Sequence, residues 1–287
     1  MKFLVTNDDG LDCIFLHELV HALRDAGHSL AVVAPKKEQS WMGASKSRNR
    51  PVHAERVDGR AGSPDSATPT LARKSAGSGD PALQQKYHLG CPTWSVDGTP
   101  SDCVNIALDH LLPADFKPDA VLSGINIGLN VSLGFIIASG TLGGAWEGAL
   151  HGLPAIAYSQ DLSSEIYERI KASGDRPDAE LHAILKISAQ HAARLTPQFV
   201  AATPPQSWIV HNVNFPHPCH PDSELRRTVP ARVLVPKLFS PAAADGTHNL
   251  IWNIGDDLSP PELITDRGAL AAGFISHTIL DYKKLGQ

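Results

Sequence analysis

The chain lacks any CxxC spacing: its 4 cysteines stand far apart, at Cys13, Cys91, Cys103 and Cys219. That gives no CxxC metal or redox signature, and a reducing compartment is the simplest expectation. The first residues carry no charged region followed by an apolar signal core, so the expected location is the cytoplasm. No apolar stretch reaches the length of a bilayer span, and no membrane partner is expected. Positive charge is not in excess either. Lys and Arg number 25 against 30 Asp and Glu, a formal net charge of -5. No overall basic field exists to hold a nucleic-acid duplex, so no stable nucleic-acid complex is expected and any phosphate affinity must be local. What is present is 42% apolar and 19% charged residues over 287 positions, the composition of a globular chain with a sizeable core.

The hydrophobic rhythm predicts an α/β fold. Lys2 to Thr6 is a short apolar run ending in the polar turn Asn7-Asp8-Asp9-Gly10. Leu16, Leu19, Val20 and Leu23 then follow at helical spacing, Gly27 stops the helix, and Ser29 to Ala34 forms a second strand closed by Pro35. This is the pattern of a right-handed βαβ unit in a doubly wound, mostly parallel sheet. Further strands are predicted at Trp94–Val96, Ala120–Ser123, Ala155–Tyr158 and Trp208–Asn214. Helices are predicted at about Ser101–Leu112, Gly140–Gly152 and Asp178–Leu195. Between Val57 and Pro92 the chain is rich in Gly, Pro, Ser and Ala and poor in core formers, so a mobile, protease-sensitive insertion is expected there. Beyond Pro216 short β-like segments, Arg232–Val235 and Leu250–Ile254, suit extended hairpins rather than more crossovers. The expected division is a catalytic core over 1–215, with its insertion at about 57–92, and a C-terminal β-hairpin arm with a return strand over 216–287.

Ligands of open α/β sheets bind outside the carboxyl ends of the strands, which directs attention to polar clusters just after strands. In Asn7-Asp8-Asp9-Gly10 two adjacent carboxylates repel each other on a tight loop, a cost that a hard cation offsets. The same letters also read as an Asx turn with Asp12 capping the helix, and alone the motif is weak. After the second strand, Ser40 offers a hydroxyl to a hard metal or simply to solvent. Ser123-Gly124-Ile125-Asn126-Ile127-Gly128-Leu129-Asn130 permits close backbone approach and carries two amides, yet it also reads as a plain glycine-rich turn. Ser139-Gly140-Thr141 opens a predicted helix whose free amides suit phosphate, although ordinary capping explains the same residues. Trp41 follows Ser40; it could stack on a base at the rim, but packing alone is a sufficient reason for a tryptophan there.

Taken together these motifs resemble one family. Asn-Asp-Asp-Gly after the first strand, Val-Ala-Pro followed by Ser40, Gly98-Thr99-Pro100-Ser101-Asp102-Cys103-Val104, Ser123-Gly124-Ile125-Asn126 with Gly128 and Asn130, and Ser139-Gly140-Thr141 occur in the order and spacing of the SurE survival-protein nucleotidases. Asn212-Val213-Asn214-Phe215-Pro216 and Gly273-Phe274-Ile275-Ser276 extend the similarity. The resemblance implies a Rossmann-like core with a C-terminal hairpin arm, assembled as a homodimer or homotetramer. It also implies one divalent cation per subunit, Mg²⁺ or Mn²⁺, held by Asp8, Asp9, Ser40 and Asn126. Asn130, Ser139, Gly140 and Thr141 would sit at the phosphate. The implied reaction is hydrolysis of nucleoside 5′- and 3′-monophosphates to nucleoside and phosphate. The chain departs from the family in having Cys13-Ile14-Phe15 where many members have Ala-Pro-Gly, and Ala138 where a tyrosine is usual. The second change is expected to widen the pocket.

The expected mechanism is attack on phosphorus by a water activated at the cation, with Asp8 or Asp9 accepting its proton; covalent attack by Asp8 is the alternative. A nicotinamide dehydrogenase is disfavoured, because the first turn is acidic where a pyrophosphate needs glycines. A non-catalytic nucleotide-binding or scaffold protein stays open.

Overall fold

The computed structural model describes residues 1–58, 89–173, 177–251 and 254–285. Most of the expected mobile insertion, and two residues of the expected Leu250–Ile254 strand, lie outside the described residues. The near ends of the insertion are anchored: Val57 and Leu89 are buried, and Arg24 Nη1 donates to the Leu89 carbonyl at 2.9 Å.

Strand β1 (Lys2–Thr6), helix α1 (Ile14–Asp25) and strand β2 (Ser29–Pro35) open the chain. Two short strands follow, β3 (Ala54–Arg56) and β4 (Thr93–Val96), then helix α2 (Pro100–Ile106), continued by a wider helical turn at Ala107–Leu111. The second half carries β5 (Ala120–Ile127), α3 (Leu133–Ala138), α4 (Gly140–Leu150), β6 (Ala155–Gln160), α5 (Ser164–Ala172), α6 (Ala179–Ala202) and β7 (Ile209–Phe215). Strand β8 (Leu225–Thr228), helix α7 (Asp266–Ala271) and strand β9 (Ile275–Asp281) complete it. Among the described residues nine strands form one sheet in the order β3-β4-β2-β1-β5-β6-β7-β9-β8.

From β4 to β7 every neighbour is parallel. Such strands have both faces covered, and the side chains show it. In β1, Phe3 and Val5 join the cluster under α1 and α6, whereas Leu4 points into the cluster with Trp94, Cys103 and Val104 of the opposite layer. Helix α1 contributes Phe15, Leu16, Leu19, Val20 and Leu23, all fully buried. Each such side chain contributes roughly 1.5–3 kcal/mol relative to exposure, so the apolar stripe predicted for this helix holds that face of the sheet. Below α4, Leu142, Ala145 and Ala149 pack on Ala155, Ala157 and Val210.

The chain winds from β1 toward β2 and β4 on one side, then returns to place β5, β6 and β7 on the other. The order therefore reverses between β1 and β5, and the crevice at their carboxyl ends is where a ligand fits such a sheet.

Three expectations change. Strand β5 does not stop at Ser123 but continues through Asn126, with a register shift against β6 between Ser123 and Asn126; the stretch read as a glycine-rich turn is irregular strand. Helix α6 does not stop before Pro197 but runs through it to Ala202, with Asp178 as its N-cap accepting from Leu181 N at 2.9 Å. The C-terminal third does contain another crossover: β8 pairs in parallel with β9, and β9 is antiparallel to β7, so both join the main sheet. Between them, Arg232–Val235 forms no regular strand. Antiparallel contacts at Val233–Asp257 and Phe239–Leu250 instead make a loosely paired extension of the described residues on either side. Among the described residues no helix is long and apolar enough to cross a membrane.

Candidate functional site

The loop after β1 is shaped by its own side chains. Asn7 Nδ2 donates to the Gly10 carbonyl at 2.9 Å, and Gly10 takes a φ of 94°, which a glycine adopts without steric cost. Helix α1 starts at Ile14 with Cys13, not Asp12, at the N-cap and without a side-chain cap bond. The alternative reading of this loop as a turn whose purpose is to cap α1 through Asp12 therefore does not describe it.

Asp8 is buried against the N-terminus of α4. Its Oδ1 accepts from the Thr141 hydroxyl at 2.7 Å, and its backbone carbonyl accepts from Gln39 N at 2.7 Å. Burial pushes its carboxyl up to about 6, against the opposing effect of hydrogen bonds from the Thr141 side chain and backbone, and the negative charge of Glu38 adds to the rise. The packing is tight enough to require glycine at position 140. A Cβ there would lie 2.8 Å from Asp8 Cβ, 2.9 Å from Asp8 Oδ2 and 2.9 Å from the Gln39 carbonyl. Asp9 faces β5 instead: its Oδ2 accepts from Ile127 N at 3.0 Å. Asn126, next to Ile127, donates its Nδ2 to the Gly128 carbonyl at 2.7 Å, an orientation that leaves Oδ1 as the oxygen offered elsewhere. Ser40, one residue from Gln39, is exposed and donates its hydroxyl to Glu38 Oε1 at 2.8 Å. The segments carrying Asp8, Asp9, Ser40 and Asn126 thus meet at the carboxyl ends of β1 and β5.

The other predicted residues meet there too. Asn130 Nδ2 donates to Thr141 Oγ1 at 3.2 Å and to Ser159 Oγ at 3.0 Å. Both of its amide hydrogens are committed, so Asn130 orders two hydroxyls and reaches a phosphate only by exchanging one of those bonds. Its backbone is clamped from β7: its N–H donates to Asn214 Oδ1 at 2.7 Å, and its carbonyl accepts from Asn212 Nδ2 at 2.8 Å and Asn214 Nδ2 at 3.2 Å. Ser139 is the N-cap of α4, accepting from Leu142 N at 3.1 Å. Capping uses the hydroxyl oxygen as acceptor and leaves the O–H as a donor, so the capping and phosphate roles weighed for this residue are compatible.

Glu38, Ser159, Asn212 and Asn214 complete the surroundings and carried no assigned role in the sequence reading. Ser159 and Asn214 are facing positions on β6 and β7, which sequence separation conceals; only the Asn212-Val213-Asn214 repeat, placing both amides on one strand face, signals the second pair.

Three oxygens at or just beyond these strand ends, Thr6 Oγ1, Asn7 Oδ1 and Ser123 Oγ, are buried with no hydrogen-bond partner. Asp8, Asp9, Glu38, Ser40 and Asn126 offer further oxygens. This is a surplus of hard acceptors and fits a small divalent cation of the Mg²⁺ or Mn²⁺ type. Among the described residues no group of three or more His, Cys, Asp and Glu side chains forms a metal cluster, so the fit rests on hydroxyl and amide oxygens beside the carboxylates.

Trp41 packs only in part. It adopts a φ of 65°, a conformation that costs a bulky L-residue about 1–2 kcal/mol, and it is 38% exposed. Its ring meets Phe135 edge-on at 5.7 Å.

The family model described as survival protein SurE matches residues 3–234. A protein of Trichormus variabilis called 5′-nucleotidase SurE is 35% identical over 211 residues, covering 72% of this chain and 65% of that protein. A protein of the same name from Synechococcus elongatus is 38% identical over 159 residues, covering 55% of this chain and 50% of its own. The chain thus aligns with between half and two thirds of the length of these curated relatives. The crystal structure of the SurE protein from Aquifex aeolicus superposes with a TM-score of 0.64 at 24% identity, over 98% of this chain and 93% of that one, and shows the same fold. With most of its length matched and the motif-bearing segments gathered at one crevice, the chain belongs to the SurE family.

Proposed function

We propose that the chain is a divalent-cation-dependent phosphomonoesterase that hydrolyses nucleoside 5′-monophosphates, and 3′-monophosphates as well, to nucleoside and phosphate. The observation that supports this reading is the contact of Asp8 with the N-terminus of α4, which brings the adjacent carboxylates Asp8 and Asp9 close to a helix start suited to phosphate. The names of the Trichormus and Synechococcus relatives support the substrate class. Asp8, Asp9, Ser40 and Asn126 would hold one Mg²⁺ or Mn²⁺, which when bound neutralises the charge of the phosphate dianion and polarises its oxygens. The Gly140 amide and the Ser139 hydroxyl would bind the phosphate oxygens at the positive end of the α4 dipole. The Thr141 amide bonds the Asp8 carboxylate and would reach a phosphate only by exchanging that bond. Thr141, held between Asn130 and Asp8, fixes the Asp8 carboxylate in place. The proton of the attacking water would pass to a carboxylate oxygen of Asp8 or Asp9.

Phosphate release from 5′-AMP and 3′-AMP, measured with Mn²⁺ and again after EDTA, tests the reading. Turnover should vanish with chelation and return with Mn²⁺ or Mg²⁺. Full turnover after exhaustive chelation removes the cation from the account, and binding of AMP without phosphate release would instead identify a nucleotide-binding protein.

The assembly belongs to the same proposal. The loosely paired extension exposes Leu234, Phe239, Leu250 and Leu258, apolar side chains whose burial needs a partner surface. We expect a second copy of the chain to cover them, giving a homodimer or a dimer of dimers. Light scattering at micromolar concentration should give two or four times the single-chain mass of 30.7 kDa, and Phe239→Asp should shift it down. A single-chain mass for the wild type contradicts the assembly.

A further inference from the structure

The rim of the crevice is built by two segments locked to one another. Gly43 N donates to the Ala138 carbonyl at 2.9 Å, Gly143 sits close against the Gly43 backbone, and Lys46 Nζ bonds Glu147 Oε2 at 2.6 Å. The loop that begins at Ser40 is therefore fixed along α3 and α4. On this rigid rim Trp41 holds its left-handed backbone conformation. Burial does not account for it, since 38% of the residue is open to solvent, and beside it Met42 is 44% and Ile137 77% exposed. A backbone outlier in a bulky residue, next to a proposed ligand and backed by a buried aromatic, is where a binding role should be sought.

We infer that Trp41, braced edge-on by Phe135, is the stacking face for the planar base of the leaving nucleoside. The inference rests on the proposed hydrolysis of nucleoside monophosphates and adds to it the residue that selects a nucleobase over an aliphatic leaving group. The placement follows from chain distance. Gln39, two residues before Trp41, abuts both Asp8 and Gly140, while α3, which carries Phe135, ends where Ser139 begins. A phosphate on the α4 N-terminus would lie beside a rim that offers an aromatic ring and exposed apolar side chains. Stacking on an indole is tolerant of base identity, because every base has a π-face, and it is strongest for the larger purines. Loose base preference with purines favoured is the expected pattern.

The test compares the full-length wild type with Trp41→Ala and Trp41→Phe. With Mn²⁺ present, the ratio of kcat/KM for AMP to that for glycerol 2-phosphate, which has no ring, should fall about tenfold in Trp41→Ala and be largely restored in Trp41→Phe. An unaltered ratio, including an equal loss on both substrates, overturns the inference and leaves Trp41 a structural residue. Adenosine binding, followed by ligand-observed NMR, needs no turnover and separates this idea from the enzymatic one. It should weaken by a similar factor in Trp41→Ala and recover in Trp41→Phe. If the wild type releases no phosphate from any monoester yet binds adenosine in a Trp41-dependent way, the stacking face stands and the hydrolase reading falls. Equal adenosine binding by wild type and Trp41→Ala, or none by the wild type, overturns the stacking face.

Discussion

Replacing Asp8 with asparagine should lower kcat for phosphate release from AMP on the order of 10³-fold, while the protein remains folded. The carboxylate accepts from the Thr141 hydroxyl where the proposed cation and phosphate would meet, and asparagine keeps its shape while removing the charge. Asn Oδ1 can still accept from Thr141, so the contact with α4 survives. Because the Asp8 carboxylate is buried, and its carboxyl is raised to about 6 mainly for that reason, removing the charge relieves a desolvation cost rather than adding one. The melting temperature should hold or rise. Steady-state phosphate release and a thermal melt on the same preparation check both halves. A variant with wild-type turnover removes Asp8 from the reaction; one that unfolds shows that the carboxylate serves structure instead.

Gly140→Ala should cost about 10²-fold in kcat/KM, although alanine is the better helix former by about 1 kcal/mol. The added methyl would meet Asp8 Cβ at 2.8 Å and both Asp8 Oδ2 and the Gln39 carbonyl at 2.9 Å. Two of these contacts are to atoms close to or in the backbone, which cannot swing aside as the tip of a long side chain would. Either the start of α4 retreats or the Asp8 loop does, and in both cases the separation between carboxylate and phosphate donors changes by a sizeable fraction of an ångström. The loss should be much larger than that in Gly128→Ala, a position where an added Cβ meets nothing within 4 Å and only the φ of 102° is strained. Similar kinetics for the two variants would show that the closeness of α4 to Asp8 is immaterial.

The parallel strands β1, β2, β5, β6 and β7 were legible because they are buried and read as apolar runs, whereas the short edge strands β3 and β8, with exposed or half-buried polar residues, gave no such run. The placement of the site followed from the same runs, since Asp8 and Asn126 stand at strand ends that a doubly wound order brings together. What escaped was set by tertiary context. Strand β5 carries one glycine, Gly124, and two polar residues, Ser123 and Asn126, in its second half, a local signature of a loop, yet pairing with β6 resumes at Asn126–Ser159 and keeps it extended. Pro197 lies within α6 although its ring opposes helix continuation. Ser159 and Glu38 were silent because nothing about a lone serine or glutamate in the chain tells which distant side chain it will face. The exposure of Trp41 was hidden for the opposite reason: aromatic residues are so often core that the sequence offers no hint of a left-handed, partly exposed one.

The account turns on Asp8 and Asp9 belonging to a single cation site, and Mn²⁺ titration followed by electron paramagnetic resonance tests this without depending on turnover. Wild-type protein should bind one ion per chain, and the Asp8→Asn, Asp9→Asn double variant should bind none over the same range while keeping its fold. Equal stoichiometry and affinity in the two proteins would contradict the account.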